Sequence, residues 1–230
     1  MKPRWTRQMR ALLLKDLRLE LRTRDTVVAM LLFAVLAMLV LQFAFQRVEN
    51  DLTRFAGGVL WVVMSLTSIL GVGRSYVAER EQGVLDGLLV APVSRLVLMA
   101  AKAVAIVLYL AAVEVAVVPL VGIFFVKGPY FSELGWIVIV CILANIAIGV
   151  LGSLMAALSL HGRARELLLP VIFLPSLIPV VIAASGATHA ITGAGPNDLA
   201  EYRGYCLFLL VYAVTFALVT YATYESVFDD

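Results

Sequence analysis

Six stretches of this chain are apolar for the length of a membrane crossing. They are Thr26–Gln46, Phe55–Ala78, Leu96–Phe125, Gly135–Leu160, Leu167–Ala187 and Gly204–Tyr224. A helix needs about 20 such residues to cross a hydrocarbon core of about 30 Å, and only helices or closed barrels satisfy their backbone there. Largely apolar runs of this length predict an all-α polytopic membrane protein. Composition agrees: 62% of the residues are hydrophobic and 15% charged, where a soluble domain has about half and a quarter. The net charge of +2 gives no reason to expect a nucleic-acid partner.

Two spans carry internal complications. The third is too long for one upright helix, since 30 residues at about 1.5 Å each reach about 45 Å. Pro119 is expected to kink or end it, leaving residues 120–125 as a separate piece. The fifth contains Pro170, Pro175 and Pro179, which remove hydrogen bonds on consecutive turns, so a bent or re-entrant element is expected instead of a straight helix. Orientation follows from the basic residues. Counting alternate sides places 14 Lys and Arg on the side of the N-terminus and 4 on the other, which predicts both termini in the cytoplasm.

Residues 1–25 precede the first span without the short core and cleavage site of a signal peptide, so they read as retained. Trp5, Met9, Leu12, Leu13 and Leu17 share one helical face, and Arg7, Lys15, Arg18 and Arg22 lie largely off it. This describes an amphipathic helix on the inner membrane surface. Asp16 and Glu20 break the apolar stripe. Either they pair with nearby arginines, Glu20 with Arg24 for example, or that part of the face touches protein and not lipid. Lys102 lies about two turns into the third span, within snorkelling reach of the headgroups.

The chain lacks a phosphate-binding loop, a G-x-S-x-G, an H-E-x-x-H and any Cys/His ligand cluster. Neither a catalytic residue nor a metal or cofactor site is expected. Cys141 and Cys206 read as small apolar groups in spans. His161 and His189 fall on opposite sides of the membrane and read as surface residues. Glu114, near the middle of the third span, stands out. Its functional readings are a gate, a proton site or a substrate contact, and its structural reading is a group bonded to another helix, with Asn145 of the fourth span as candidate partner.

Between the second and third spans, residues 78–95 read AEREQGVLDGLLVAPVSR. Gly83 interrupts a continuous helix, and Pro92 restricts the residue before it and suits a helix start after it. Between them Val84, Leu85, Leu88 and Leu89 keep the spacing of one helical face. A short helix there presents an apolar knob rimmed by Glu79, Glu81 and Asp86. An anionic rim suits a protein groove better than an anionic leaflet.

This stretch resembles the loop of ABC-2-class exporter permeases, in which an acidic–Gly–Leu–Leu–Pro pattern forms the coupling helix. The resemblance assigns ATPase coupling to Glu79, Glu81, Gly83, Leu85, Asp86, Leu88, Leu89 and Pro92, and makes residues 1–25 the elbow helix. Within that class the chain resembles the heme exporter protein B (CcmB) family of cytochrome c biogenesis. LKDLRLELRTRD at 14–25, GGVLWVVMSLTSIL at 57–70 continuing to Pro92, and LHGRARELLLPVIFLPSLIPVVIAA at 160–184 carry the likeness. Gly73 departs from the pattern, where many relatives carry a carboxylate, and leaves a local ion pair with Arg74 in doubt.

The resemblance implies a non-catalytic permease subunit of the bacterial inner membrane, forming a homodimer. It implies a cytoplasmic ABC ATPase that hydrolyses ATP, a heme-handling membrane subunit, a small membrane subunit and, indirectly, a periplasmic heme chaperone. ATP hydrolysis would drive heme export or release of the loaded chaperone. No side chain offers an axial iron ligand at midplane, so heme is expected on the partners. Other readings are an ABC-2 permease for a drug, lipid or glycan, an ion-coupled secondary transporter using Glu114, and a membrane scaffold. The secondary transporter predicts paired broken helices in two related halves, and no such repeat is visible.

Overall fold

A computed structural model describes residues 4–47, 52–81, 95–127, 130–158, 165–192 and 198–223. Among them are seven α-helices: α1 (Arg4–Thr23), α2 (Asp25–Gln46), α3 (Ala56–Glu81), α4 (Arg95–Phe125), α5 (Leu134–Leu158), α6 (Arg165–Thr192) and α7 (Leu199–Thr223). Short 3-10 turns at Thr53–Phe55 and Tyr130–Glu133 lead into α3 and α5. Helices α2 to α7 are each long and apolar enough to cross a membrane. The expected spans are therefore present, with their ends moved by up to five residues, and the protein is a multi-pass membrane protein.

Burial orders the helices. In the most apolar window of α3 and of α5, 67% of residues are buried, against 17% in α2 and α7. Thus α3, α4, α5 and α6 form the centre, α2 flanks it against α3 and α4, and α7 flanks it against α5 and α6. Lipid is as apolar as leucine, so association of such helices relies on close packing of small residues. Gly149 of α5 meets this requirement: a Cβ there would come within 2.8 Å of the Ala103 carbonyl oxygen of α4. Side-chain hydrogen bonds add ties. Trp61 Nε1 of α3 donates to Thr188 Oγ1 of α6 at 2.9 Å, and Tyr202 OH of α7 donates to the Trp136 carbonyl of α5 at 2.9 Å.

The prolines leave the helices continuous. The expected break at Pro119 does not occur; α4 runs 31 residues to Phe125. Val117, Val118, Val121 and Phe125, on both sides of the proline, are all buried, and their packing outweighs the one missing hydrogen bond. Likewise α6 passes through Pro170, Pro175 and Pro179 as a single 28-residue helix, not a re-entrant element. Near the turns deprived of N–H groups, Ser176 Oγ donates to the Ile172 carbonyl at 2.9 Å. Tyr212 OH of α7 donates to the Ser176 carbonyl. The carbonyls that lose a helical N–H to these prolines are those four residues earlier, at Glu166, Val171 and Pro175, so the two bonds brace α6 beside the gaps and do not fill them.

The N-terminal helix ends at a sharp corner. Arg24 takes a left-handed backbone conformation, φ 58°, between α1 and α2, which costs a non-glycine residue about 1–2 kcal/mol. Local bonds support it. The Arg24 N–H donates to the Glu20 carbonyl at 2.6 Å, and Val27 N–H donates to Glu20 Oε1 at 2.8 Å. Glu20 thus caps the start of α2, in place of the anticipated pair with Arg24. Arg74, near the end of α3, donates from Nη1 to the Asp25 carbonyl at 3.1 Å, so it ties two helices although no carboxylate precedes it.

Candidate functional site

Three polar features stand out in this apolar bundle, at different depths. The first is at the α1 end. Leu12 is buried and Met9, Leu13 and Leu17 are half-buried against the core. The stripe of α1 therefore packs on protein, chiefly α4. Asp16 is where the stripe turned polar. Its Oδ2 lies 3.0 Å from Lys102 Nζ, and the two side chains are only 7% and 3% exposed. Lys15 Nζ lies 3.2 Å from the other oxygen, Oδ1.

The protein-contact reading of Asp16 therefore holds, and the snorkelling reading of Lys102 does not. Lys102 points into the α1–α4 interface because a buried carboxylate awaits it there. Charges at such depth are tolerated when paired, and removing one member of a buried pair leaves the other uncompensated. Lys102 lies seven residues beyond the start of α4, so the pair sits close in sequence to the α3–α4 connection.

Of the residues assigned to ATPase coupling, Glu79 and Glu81 fall in the last turn of α3. Gly83, Leu85, Asp86, Leu88, Leu89 and Pro92 lie outside the described residues, as does His161.

The second feature is mid-bundle. Asn145 Nδ2 of α5 donates to Glu114 Oε2 of α4 at 2.7 Å, with both residues buried. Cys141, one turn before Asn145, interacts with the same carboxylate. Glu114 Oε1, Asn145 Oδ1 and the buried Tyr130 hydroxyl have no hydrogen-bond partner among the described residues. No group of three or more His, Cys, Asp or Glu side chains suited to a metal occurs among the described residues.

The third feature was missed in the sequence. At the far end, opposite α1, a groove of about 730 Å³ opens between α2, α3 and α6, within the usual range for small-molecule sites. Its walls are apolar. Phe45 of α2 and Phe55 stack with ring centroids 4.9 Å apart and planes 9° from parallel. Two adjacent glycines shape the groove. A Cβ at Gly57 would reach 2.9 Å from the Ser185 carbonyl, so that glycine lets α3 and α6 touch. Gly58 faces the groove, where a Cβ would meet only Ser185 Oγ, at 3.8 Å. Arg54 and His189, both exposed, also line it. His189 has no hydrogen-bond or ionic partner among the described residues. Its position in sequence gives no hint of this, because the facing walls come from α2, α3 and the turn before α3.

Comparison with known proteins adds a family. Residues 7–228 match the family described as CcmB protein. The chain is 28% identical to heme exporter protein B of Rhodobacter capsulatus over 220 residues, which are 95% of this chain and 98% of the relative. It is 30% identical to heme exporter protein B of Paracoccus denitrificans over 190 residues, 82% and 86% of the two chains. With the protein of that name from Bradyrhizobium diazoefficiens it shares 27% over 202 residues, 87% and 90%.

Proposed function

This chain belongs to the CcmB protein family, and on that premise we propose that it is the membrane subunit of a heme-exporting complex in cytochrome c biogenesis. The match over residues 7–228 carries this reading, and relatives named heme exporter protein B, aligned over most of their own length, support it.

In this reading the chain is a non-catalytic permease subunit of the bacterial inner membrane, with both termini in the cytoplasm. Two copies pair, and each engages a separate ABC ATPase through residues 79–95. Heme is handled with a second membrane subunit and a small one, and is passed to a periplasmic chaperone. ATP hydrolysis displaces the 79–95 segment, which leads directly into α4. The buried Asp16–Lys102 pair, two turns along α4, carries that displacement to α1. Heme export, or release of the loaded chaperone, follows from the repacking.

The experiment is a substitution of Leu85, Leu88 and Leu89 together by Asp. Placing three carboxylates on an apolar docking knob should abolish co-purification of the ATPase while membrane insertion stays normal. It should also stop assembly of c-type cytochromes in a strain lacking its own copy of the gene. Undiminished co-purification would exclude the 79–95 segment as the docking element.

A further inference from the structure

We infer that the groove between α2, α3 and α6 is a heme-binding site on this chain, with His189 as an iron ligand and Arg54 as the partner of a propionate. The inference rests on the heme reading above and assigns its substrate a place. It departs from the sequence expectation that heme stays on partner subunits.

Heme asks three things of a protein: apolar walls for a flat macrocycle, a nitrogen, sulfur or oxygen donor for the iron, and cations for two carboxylates. The groove supplies the walls, a donor and a cation for one of the two carboxylates. Its apolar wall includes the parallel Phe45 and Phe55 rings, and the missing side chain at Gly58 leaves space beside Ser185. His189, in the last turn of α6, lines the groove and brings an imidazole without a partner among the described residues. Arg54, in the turn before α3, brings a guanidinium to the same cavity.

The same walls would accept an acyl chain, and Arg54 a lipid phosphate. An imidazole, however, adds an iron donor that a lipid does not need. By the positive-inside count the groove faces away from the ATPase side, where heme would be handed on.

The test is titration of hemin into the full-length protein in phosphatidylcholine nanodiscs, read from the Soret band. Wild type should show a saturable band. His189→Ala should shift the band and weaken binding roughly tenfold, the loss of one strong polar contact. His189→Met, which keeps a ligating atom, should restore tight binding with a different spectrum. Arg54→Gln should weaken binding about as much without moving the band, and Gly58→Phe should block it.

His189 is exposed, so its variants should keep the wild-type elution profile. Identical titrations for wild type and His189→Ala, or hemin uptake no greater than by empty nanodiscs, would overturn the site. So would a groove that retains tightly held phospholipid and excludes hemin. Cytochrome c assembly in a strain deleted for this gene tests the parent reading separately. Complementation without a His189-dependent band sinks the site alone, whereas the band without complementation keeps the site and sinks the role.

Discussion

Replacing Asp16 by Ala should release α1 from the bundle. Two unit charges 3.0 Å apart attract each other by about 5–6 kcal/mol at an effective dielectric of 20, and most of that offsets the desolvation of both groups. The pair is therefore worth little against two apolar side chains. Removing one member differs, because a buried Lys102 is then left without its carboxylate, at a cost of about 3–5 kcal/mol. The cheapest relief is to let α1 swing away so that Lys102 reaches water. At 3 kcal/mol the undocked population rises roughly 100-fold.

The assay is maleimide labelling of Leu12→Cys in a background without Cys141 and Cys206. Leu12 is 7% exposed in the docked helix, so its labelling rate reports opening. Asp16→Ala should speed labelling roughly 100-fold, and Asp16→Leu combined with Lys102→Met should return it near the starting rate. Labelling unchanged by Asp16→Ala would refute the latch. So would a double variant as fast as the single one, since the loss of the Asp16 carboxylate would then not act through Lys102.

Glu114→Gln keeps a polar partner for Asn145 and should leave assembly and cytochrome c maturation largely intact. Glu114→Leu strands the Asn145 amide in an apolar interior and should lower stability by about 1–3 kcal/mol, read as a fall in melting temperature. Complete loss of activity in a well-assembled Glu114→Gln protein would instead give the carboxylate a functional role. Gly149→Val should push α4 from α5 through the Ala103 carbonyl contact and cost about 1–3 kcal/mol, seen as aggregation on size exclusion in detergent. An unaltered monodisperse peak would mean that this approach is not needed.

What could be read from the sequence follows the range of the forces involved. Hydropathy acts over a single helix, so six spans were visible, and so was the amphipathic helix before Thr26. Asp16 announced itself because a carboxylate on an apolar stripe contradicts its own helix. Lys102 did not, because a lysine two turns inside a span is ordinary unless something buried faces it, and that something lies 86 residues earlier. His189 was hidden for the same reason; much of the groove it lines comes from α2, α3 and the turn before α3. Pro119 and the three prolines of α6 misled in the opposite direction. Local chemistry predicted breaks; burial on both sides of Pro119 kept α4 whole, and α6 runs unbroken through its three prolines.

The 86-residue separation of Asp16 and Lys102 also imposes an order of events on synthesis. A ribosome adding about 5–20 residues per second makes α1 roughly 4–17 s before the lysine it will pair with exists. During that interval Asp16 has only Lys15 beside it, a partner that is itself partly exposed, and the cation that accompanies it into the bundle is still absent. The nascent α1 must wait at the membrane surface, where its apolar stripe holds it and its basic residues face the headgroups. Closing of the Asp16–Lys102 contact then marks the moment at which α4 has been inserted in the correct register.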